Sequence, residues 1–369
     1  NTASQTQVTR PQCGLTRRST RRVPACGLRA RLNSNGGRIQ SGSTSLPPTS
    51  DNMNRDGRIS IERIEQGISV VGPEFLNTPQ FESEALSVEL GARVVVKIET
   101  MNPIRSFKGR GSELYMSKVP AGSAVVCASA GNFGQAIAYS ARRRAVRATV
   151  VAARNANPLK LDRMRSLGAD VRLFGEDFDA ARGEARRVAA EGAGRLVVDS
   201  LDIETVEGAG SIGLELLRLP ERLDALLVAL GNGAMFNGVA HVMKARSPAT
   251  RVFAVGAQGA SAMIDSWRSG RLIEHSSVST IADGIAIRTP IPQALHDMQG
   301  MVDGALLVSD EAIIRAMKLL HRHVGIVAEP SAAVGVAAML EAPQTFKGAL
   351  VGVIVCGGNL TEEQIHAWL

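Results

Sequence analysis

The segment NPIRSFKGRG at residues 102–111 places Lys108 between two glycine-bearing turns, shortly after the apolar run ARVVVKIE. A lysine amine can act as a base, or bond covalently to a carbonyl group, when its surroundings keep it neutral. Most lysines are exposed and charged, so a solvated loop residue is the default interpretation of Lys108 taken alone. The neighbouring motifs must decide whether Lys108 is a neutral, reactive lysine or a solvated loop residue.

A second segment with chemical potential is VVCASAGNFGQ, in which an apolar run passes through Ser129, Ala130, Gly131 and Asn132 into a predicted helix. Several free backbone N–H groups and the positive end of that helix would face one point, which favours binding of an anion. Ser129 or Asn132 could instead simply cap the helix.

Two further apolar runs end in glycine. VALGNGAMFNGVA places Gly231 and Gly233 between a strand and a helix, where glycines let the backbone approach a phosphate. The spacing matches neither the dinucleotide fingerprint nor the phosphate loop of ATPases, so a plain tight turn remains an alternative. VIVCGGN ends its run at Cys356, which taken alone is typical of a small buried apolar residue.

These segments need a scaffold that brings them together. From about residue 90 onward, short β-branched runs alternate with longer amphipathic stretches, and several runs are apolar throughout. Such strands, alternating with helices, predict parallel sheets covered on both faces in an open α/β fold. Ligands bind such sheets at the carboxyl ends of the strands, which is where these glycine-bearing segments lie.

The charge of the chain is unevenly distributed. The formal charge is +7 over 369 residues, but residues 1–50 carry eight Arg and no acid, while the rest has 34 basic and 35 acidic residues. This balance disfavours binding of nucleic acid by the body of the protein. Only the arm could contact the phosphate groups of a nucleic acid. We predict that residues 1–52 form a disordered Arg/Ser-rich arm, which could be a transit peptide, an upstream extension or an artificial leader.

The composition also bears on location and on metal sites. No window offers the 18 or more apolar residues of a membrane helix, so we expect a cytoplasmic protein, or an organelle matrix protein if the arm is a transit peptide. Cys127 and Cys356 are the only cysteines beyond the arm, and their spacing requires neither zinc nor a disulfide. We therefore expect no metal site.

Taken in order, the motifs resemble the fold-type II family of pyridoxal-phosphate enzymes, and within it the threonine and serine dehydratases, or ammonia-lyases. The resemblance covers about residues 60–369 and rests on SFK, SAGN, EGAGSIGLEL, the glycine loop, TIADGIA, AEPSAA and CGGN. It implies two open, mostly parallel α/β subdomains of the tryptophan synthase β type. The catalytic body would span residues 53–369, with a smaller subdomain inserted at about 123–200, and the protein would be a homodimer.

The resemblance also implies roles for individual residues. Lys108 would hold pyridoxal 5'-phosphate through a Schiff base, beside Phe107. Asn132 would donate a hydrogen bond to the phenolic oxygen of the cofactor, and Cys356 would be the neutral partner of its pyridine nitrogen. The phosphate would bind to the loop formed by Gly231, Asn232, Gly233, Ala234 and Met235. The substrate carboxylate would bind to the amides of Ser129, Ala130, Gly131 and Asn132.

The implied activity is β-elimination of a small hydroxy amino acid, such as L-threonine or L-serine, to a 2-oxo acid and ammonia. Several residues depart from the family pattern. Arg105 replaces a small residue and could pair with a dianionic substrate or face solvent, and Phe133 replaces a common histidine. Ala130 replaces the serine of racemases, which argues against racemisation. Gly256 and Ala262 replace acidic ligands of a divalent-cation site, which the chain is therefore expected to lack.

Other functions remain open at this point. A β-replacement synthase would use the same lysine but is expected to show TSGNT in place of ASAGNF. Threonine synthase is harder to exclude, because VGAQGASA and Arg105 could suit a phosphorylated substrate. A cofactor carrier without catalysis and a nucleic-acid binder acting through the arm are alternatives of a different class.

Overall fold

The computed structural model describes residues 57–369. The arm predicted at residues 1–52 and the first residues of the predicted catalytic body lie outside this range. The chain is an α/β protein with two sheets, and every pairing within them is parallel except one. This confirms the fold class expected from the sequence.

The larger sheet has six strands in the order β1-β2-β10-β7-β8-β9. β1 pairs antiparallel to β2, and the other neighbours are parallel. β7 and β10 are buried at every position, which explains their continuous apolar sequences. The strands are β1 (Gln80–Glu82), β2 (Arg93–Ile98), β7 (Ala225–Ala229), β8 (Arg251–Ala257), β9 (Gly304–Val308) and β10 (Leu350–Val355).

The smaller sheet has four parallel strands in the order β5-β4-β3-β6. They are β3 (Ala124–Ala128), β4 (Arg147–Ala152), β5 (Asp170–Leu173) and β6 (Arg195–Val197). All four lie within residues 123–200, the range assigned from the sequence to an inserted subdomain. That assignment stays a prediction, since the sheet order alone does not define a domain boundary.

Helices connect and cover the strands. Those before the smaller sheet are α1 (Ile61–Gly67), α2 (Glu84–Leu90) and α3 (Lys108–Met116). Those around it are α4 (Asn132–Arg143), α5 (Pro158–Ser166), α6 (Phe178–Val188) and α7 (Ile203–Leu216). The remaining helices are α8 (Ala234–Arg246), α9 (Ala262–Ser269), α10 (Pro292–Asp297), α11 (Asp310–Val324), α12 (Pro330–Glu341), α13 (Pro343–Phe346) and α14 (Glu362–Trp368).

The strand ends position the segments that the sequence singled out. α3 begins at Lys108 after β2, α4 begins at Asn132 after β3, and α8 begins at Ala234 after β7. Cys356 directly follows β10. Phe107 N–H donates to the Cys356 carbonyl at 3.0 Å, and Ser106 forms a bridge with Gly357, so the lysine segment is joined to the end of the central strand.

Candidate active site

One cavity of about 510 Å³ opens at the carboxyl ends of strands from both sheets. The sequence-predicted site residues all line it: Phe107, Lys108, Ser129, Ala130, Gly131, Asn132, Gly231, Asn232, Gly233, Ala234, Met235 and Cys356. Its volume is in the usual range for a small-molecule or cofactor site. The structure therefore brings together segments that are up to 249 positions apart in the chain.

Lys108 points into this cavity. Its side chain is 17% exposed, and its Nζ lies 4.6 Å from the centre of the Phe107 ring and 5.9 Å from that of Phe133. Nζ donates a hydrogen bond to Asp199 Oδ2 at 2.5 Å. The lysine is thus a shielded residue with one anionic partner, and not a solvated loop residue.

The turn that precedes Lys108 is fixed by Asn102. The Asn102 side-chain oxygen accepts from Ile104 N–H and Ser106 N–H at 3.2 Å each, while its amide donates to the carbonyls of Glu99 and Ser106. Arg105 adopts a left-handed backbone conformation with φ 51°, and its side chain is exposed and outside the cavity. From the sequence, Arg105 could either face the substrate pocket or face solvent, and in the structure it faces solvent.

A buried ionic cluster anchors α3 two residues after the lysine. The Arg110 guanidinium is fully buried and donates to both carboxylate oxygens of Glu99 on one side and of Glu215 on the other, at 2.7–3.0 Å. The Lys97 amine also contacts Glu215. Burial opposes ionisation of Glu215, but hydrogen bonds from Arg110 and Lys97 outweigh it and lower its pKa to about 2. Glu215 is therefore held in its charged form, and the cluster ties α3 to β2 and α7.

The SAGN turn offers fewer amides to an anion than the sequence suggested. Ser129 N–H donates to the Val151 carbonyl, and Ser129 Oγ accepts from Gly131 N–H at 3.2 Å and Gly134 N–H at 2.9 Å. Within residues 57–369, no protein acceptor is found for the amides of Ala130 and Asn132. The capping alternative thus holds for Ser129, while two amides at the start of α4 remain for a carboxylate.

Asn132 is held by a network that sequence reasoning missed. Its Nδ2 donates to Glu329 Oε1 at 2.7 Å, and its Oδ1 accepts from Asn359 Nδ2 at 2.8 Å. Asn359 N–H also donates to Glu329 Oε2 at 3.1 Å. These contacts orient the Asn132 amide and leave its second N–H directed away from Glu329. The only sequence signals for the network were the AEPSAA and CGGN motifs.

Glu329 is itself a buried acid. Burial raises its pKa, opposed by the nearby Lys160 ammonium. The Lys160 amine lies 2.5 Å from Asp283 Oδ2, in the TIADGIA motif. The hydrogen bonds around Glu329 and the Lys160–Asp283 pair thus link α5 of the smaller sheet to segments next to the larger one.

The glycine loop forms a backbone-lined cradle at the start of α8. Gly233 has φ 97°, a conformation that favours glycine. A Cβ at Gly231 would lie 3.0 Å from the Gly284 carbonyl oxygen and 3.2 Å from Ile285 Cα, so the loop packs too closely for a side chain. Ala234 and Met235, the first residues of the 13-residue helix α8, line the cavity, and the N-terminus of a helix suits a phosphate.

Two small polar groups lie at the far wall of the cavity. Cys356 is 5% exposed, its Sγ lies 3.8 Å from the Ser331 carbonyl oxygen, and burial raises the pKa of its thiol well above the usual range. Ser331 Oγ is buried, and the described residues give it no hydrogen-bond partner. Both groups are uncharged, so this wall presents neutral partners to a ligand.

The mouth of the cavity is lined by charged residues of α6 and of the segment before α10. Asp179 pairs with Arg182 at 2.7 Å and also with Arg288. These arginines therefore already have a carboxylate partner. In the described part of the chain, no His, Cys, Asp and Glu side chains converge into a metal-binding cluster. Among residues 57–369, no helix combines the length and apolar character needed to cross a bilayer.

Comparisons with known proteins agree with this geometry. Residues 71–357 match the family described as pyridoxal-phosphate dependent enzyme. The chain is 32% identical over 310 residues to the L-threonine ammonia-lyase of Thermotoga maritima, across 83% of this chain and 77% of that protein. It is 32% identical over 296 residues to the L-threo-3-hydroxyaspartate ammonia-lyase of a Pseudomonas species, across 79% and 92% of the two chains.

Solved structures show the same fold. The processed form of threonine deaminase isoform 2 from Solanum lycopersicum matches with a TM-score of 0.76 at 28% identity, over 87% of this chain and 92% of that one. Maize serine racemase matches with a TM-score of 0.77 at 27% identity, over 84% and 96%.

Proposed function

Because the chain belongs to the family of pyridoxal-phosphate dependent enzymes, we propose that it is a lyase that eliminates the β-hydroxyl of a small amino acid, such as L-serine or L-threonine. The products would be a 2-oxo acid and ammonia. The observation that carries the proposal is the meeting of the Lys108 amine with two helix N-termini around one cavity. Relatives named as ammonia-lyases support it.

The residues around the cavity fit the cofactor. The loop of residues 231–235 suits its phosphate, because its glycines carry no side chain to cover the backbone and it leads into the start of α8. Cys356 and the unpartnered Ser331 hydroxyl suit an uncharged ring nitrogen. Asn132 retains one N–H for the phenolic oxygen. When bound, the cofactor would supply an electron sink for the negative charge that develops at the substrate Cα.

The chain itself would provide binding, orientation and proton transfer. The Ala130 and Asn132 amides would hold the substrate carboxylate at the start of α4. Once released from its bond to the cofactor, Lys108 Nζ would remove the proton from Cα of the substrate. The rings of Phe107 and Phe133 would limit access of water to this lysine. A neutral partner at the ring nitrogen suits elimination, because the cofactor would then be a milder electron sink.

A substrate screen tests the proposal. Purified protein supplied with pyridoxal phosphate would be incubated with L-serine, L-threonine, threo-3-hydroxyaspartate or phosphohomoserine, and 2-oxo acid and ammonia would be measured. We expect release from serine or threonine, since Arg105 faces solvent and two of the arginines at the mouth, Arg182 and Arg288, are paired with Asp179. Release from only the dianionic compounds would contradict the proposed substrate class.

We also propose that the protein is a cytoplasmic homodimer, as expected from the sequence. The support for the homodimer is the family resemblance alone, and the support for the location is the sequence pattern. Sedimentation of the purified chain and fractionation of cells that express it would test the two parts separately.

A further inference from the structure

A carboxylate that the sequence analysis did not assign lies next to the catalytic lysine candidate. Asp199 is 9% exposed, lines the cavity, and accepts from Lys108 Nζ at 2.5 Å through Oδ2. We infer that Asp199 binds the β-hydroxyl of the substrate and delivers the proton with which that hydroxyl leaves as water. This inference rests on the proposed function and names the residue that handles its leaving group.

The second carboxylate oxygen of Asp199 needs a hydrogen-bond donor. Oδ1 is buried, and the described residues give it no partner. Asn232 Nδ2 is near Oδ2, at 3.4 Å, and not near Oδ1. Leaving a buried carboxylate oxygen unpaired is costly, so a ligand hydroxyl donating to Oδ1 would be favoured.

Of the four other cations that line the cavity, three are paired with other carboxylates, and the fourth, Arg186, is exposed on α6. Lys160 pairs with Asp283, and Arg182 and Arg288 pair with Asp179. Lys108 is the cation that contacts Asp199 in the described residues, and it approaches Oδ2. Oδ1 is left for a neutral donor of the kind that serine and threonine carry at Cβ.

Hydrogen bonds of the neighbouring backbone groups fix the turn that carries Asp199. Val198 N–H donates to Asp202 Oδ2 at 2.7 Å, and Ser200 N–H donates to Thr205 Oγ1 at 2.9 Å. Ser200 adopts a left-handed conformation with φ 66°, which is unfavourable for a residue other than glycine. Such strain persists where the surrounding contacts enforce it and is common at functional sites.

The proton transfer balances. Lys108 Nζ takes the proton from Cα as that C–H bond breaks. The electron pair forms a Cα–Cβ double bond as the Cβ–O bond breaks. The Lys108 ammonium passes a proton to the Asp199 carboxylate, and rotation of the carboxyl group presents that proton to the departing oxygen. Lys108 ends as a neutral amine, Asp199 as a carboxylate, and the hydroxyl as water.

The leaving group offers a direct test. Hydroxide needs a proton to leave, whereas chloride does not. Asp199→Asn and Asp199→Ser would be compared with wild type on L-serine and on β-chloro-L-alanine, using initial rates of pyruvate formation. Asp162→Asn is the matched control, because Asp162 is 72% exposed and pairs with Arg165 on the surface of α5. Cofactor loading of each variant would be checked by its absorption band.

We expect both Asp199 variants to lose about a hundredfold or more in kcat for serine, the usual contribution of a general acid. Their turnover of β-chloroalanine should stay within about threefold of wild type, and the control should be unchanged on both substrates. In D₂O, serine recovered from Asp199→Asn should carry deuterium at Cα by NMR, because Lys108 still removes that proton.

Three results would overturn the inference: an equal loss on both substrates, no loss on either, or failure of both variants to load the cofactor, which would place Asp199 in cofactor binding. The proposed function fails in a different way. In that case the wild-type protein itself would release no pyruvate from serine and no 2-oxobutyrate from threonine.

Discussion

Replacing Arg110 tests whether the buried ionic cluster holds the helix that begins at Lys108. Arg110→Met keeps a long apolar side chain but removes the guanidinium that donates to four carboxylate oxygens of Glu99 and Glu215. Two fully or nearly buried carboxylates would then share the single ammonium of Lys97. Breaking a buried ion pair by removing one partner costs about 3–5 kcal/mol. We expect that loss in the free energy of unfolding.

The assay is equilibrium unfolding in urea, monitored by circular dichroism. Cofactor-free protein is used, so that loss of ligand binding does not add to the difference. Arg93→Met is a matched control, because Arg93 also bridges two glutamates, Glu82 and Glu221, but its side chain is 46% exposed. Each exposed ion pair contributes about 0–1 kcal/mol, so the control, which removes two pairs, should lose no more than about 2 kcal/mol.

Equal losses in the two variants would refute the reasoning, since burial would then not distinguish the clusters. A loss below about 1 kcal/mol in Arg110→Met would also refute the reasoning.

The pH dependence of unfolding of the wild-type protein is a second check on the buried cluster. Because the pKa of Glu215 is lowered in the folded state, its stabilising contribution is complete above about pH 5 and is lost as pH falls towards about 2.

Three further predictions concern the cavity. Cys356→Ser should keep most activity, whereas Cys356→Asp should weaken cofactor binding, measured by absorbance titration, because it buries a charge. Gly233→Ala should weaken cofactor binding roughly tenfold, since a Cβ there would lie 3.1 Å from Asn237 Nδ2. Gly270→Ala shares the left-handed conformation in open space and should leave binding unchanged. Arg105→Ala should change kcat/KM within about twofold for serine and hydroxyaspartate alike, and a selective collapse with hydroxyaspartate would place Arg105 at the substrate.

The sequence predicted the scaffold and the cavity wall well because both depend on local patterns. Apolar runs ended by glycine marked β7 and β10, and the apolar run before the SAGN turn marked β3. The residues after these three strands do line one cavity. The edge strands of the larger sheet, β1 and β9, were harder to recognise. β1 has three residues, none of them buried, and four of the five residues of β9 are only partly buried, so neither strand carries a continuous apolar signal.

The contacts within the site could not be read from the sequence, because they join distant segments. Arg110 and Glu215 are 105 positions apart, and Asn132 and Glu329 are 197 apart. Asp199 follows a short strand and is one of two acids before the helix that begins at Ile203, so from the sequence it resembles an ordinary polar residue of the connecting turn beside the N-cap, Asp202. Only the packing of the two sheets shows that it faces Lys108.

The most direct test of the central claim is borohydride reduction of the cofactor-loaded protein, followed by peptide mass mapping. The account predicts that the reduced cofactor is attached to Lys108, and that Lys108→Ala, still folded, releases no 2-oxo acid from serine or threonine. Lys160 also lines the cavity and is the natural internal comparison. Attachment to Lys160 or to any other lysine, or undiminished turnover in Lys108→Ala, would contradict the account.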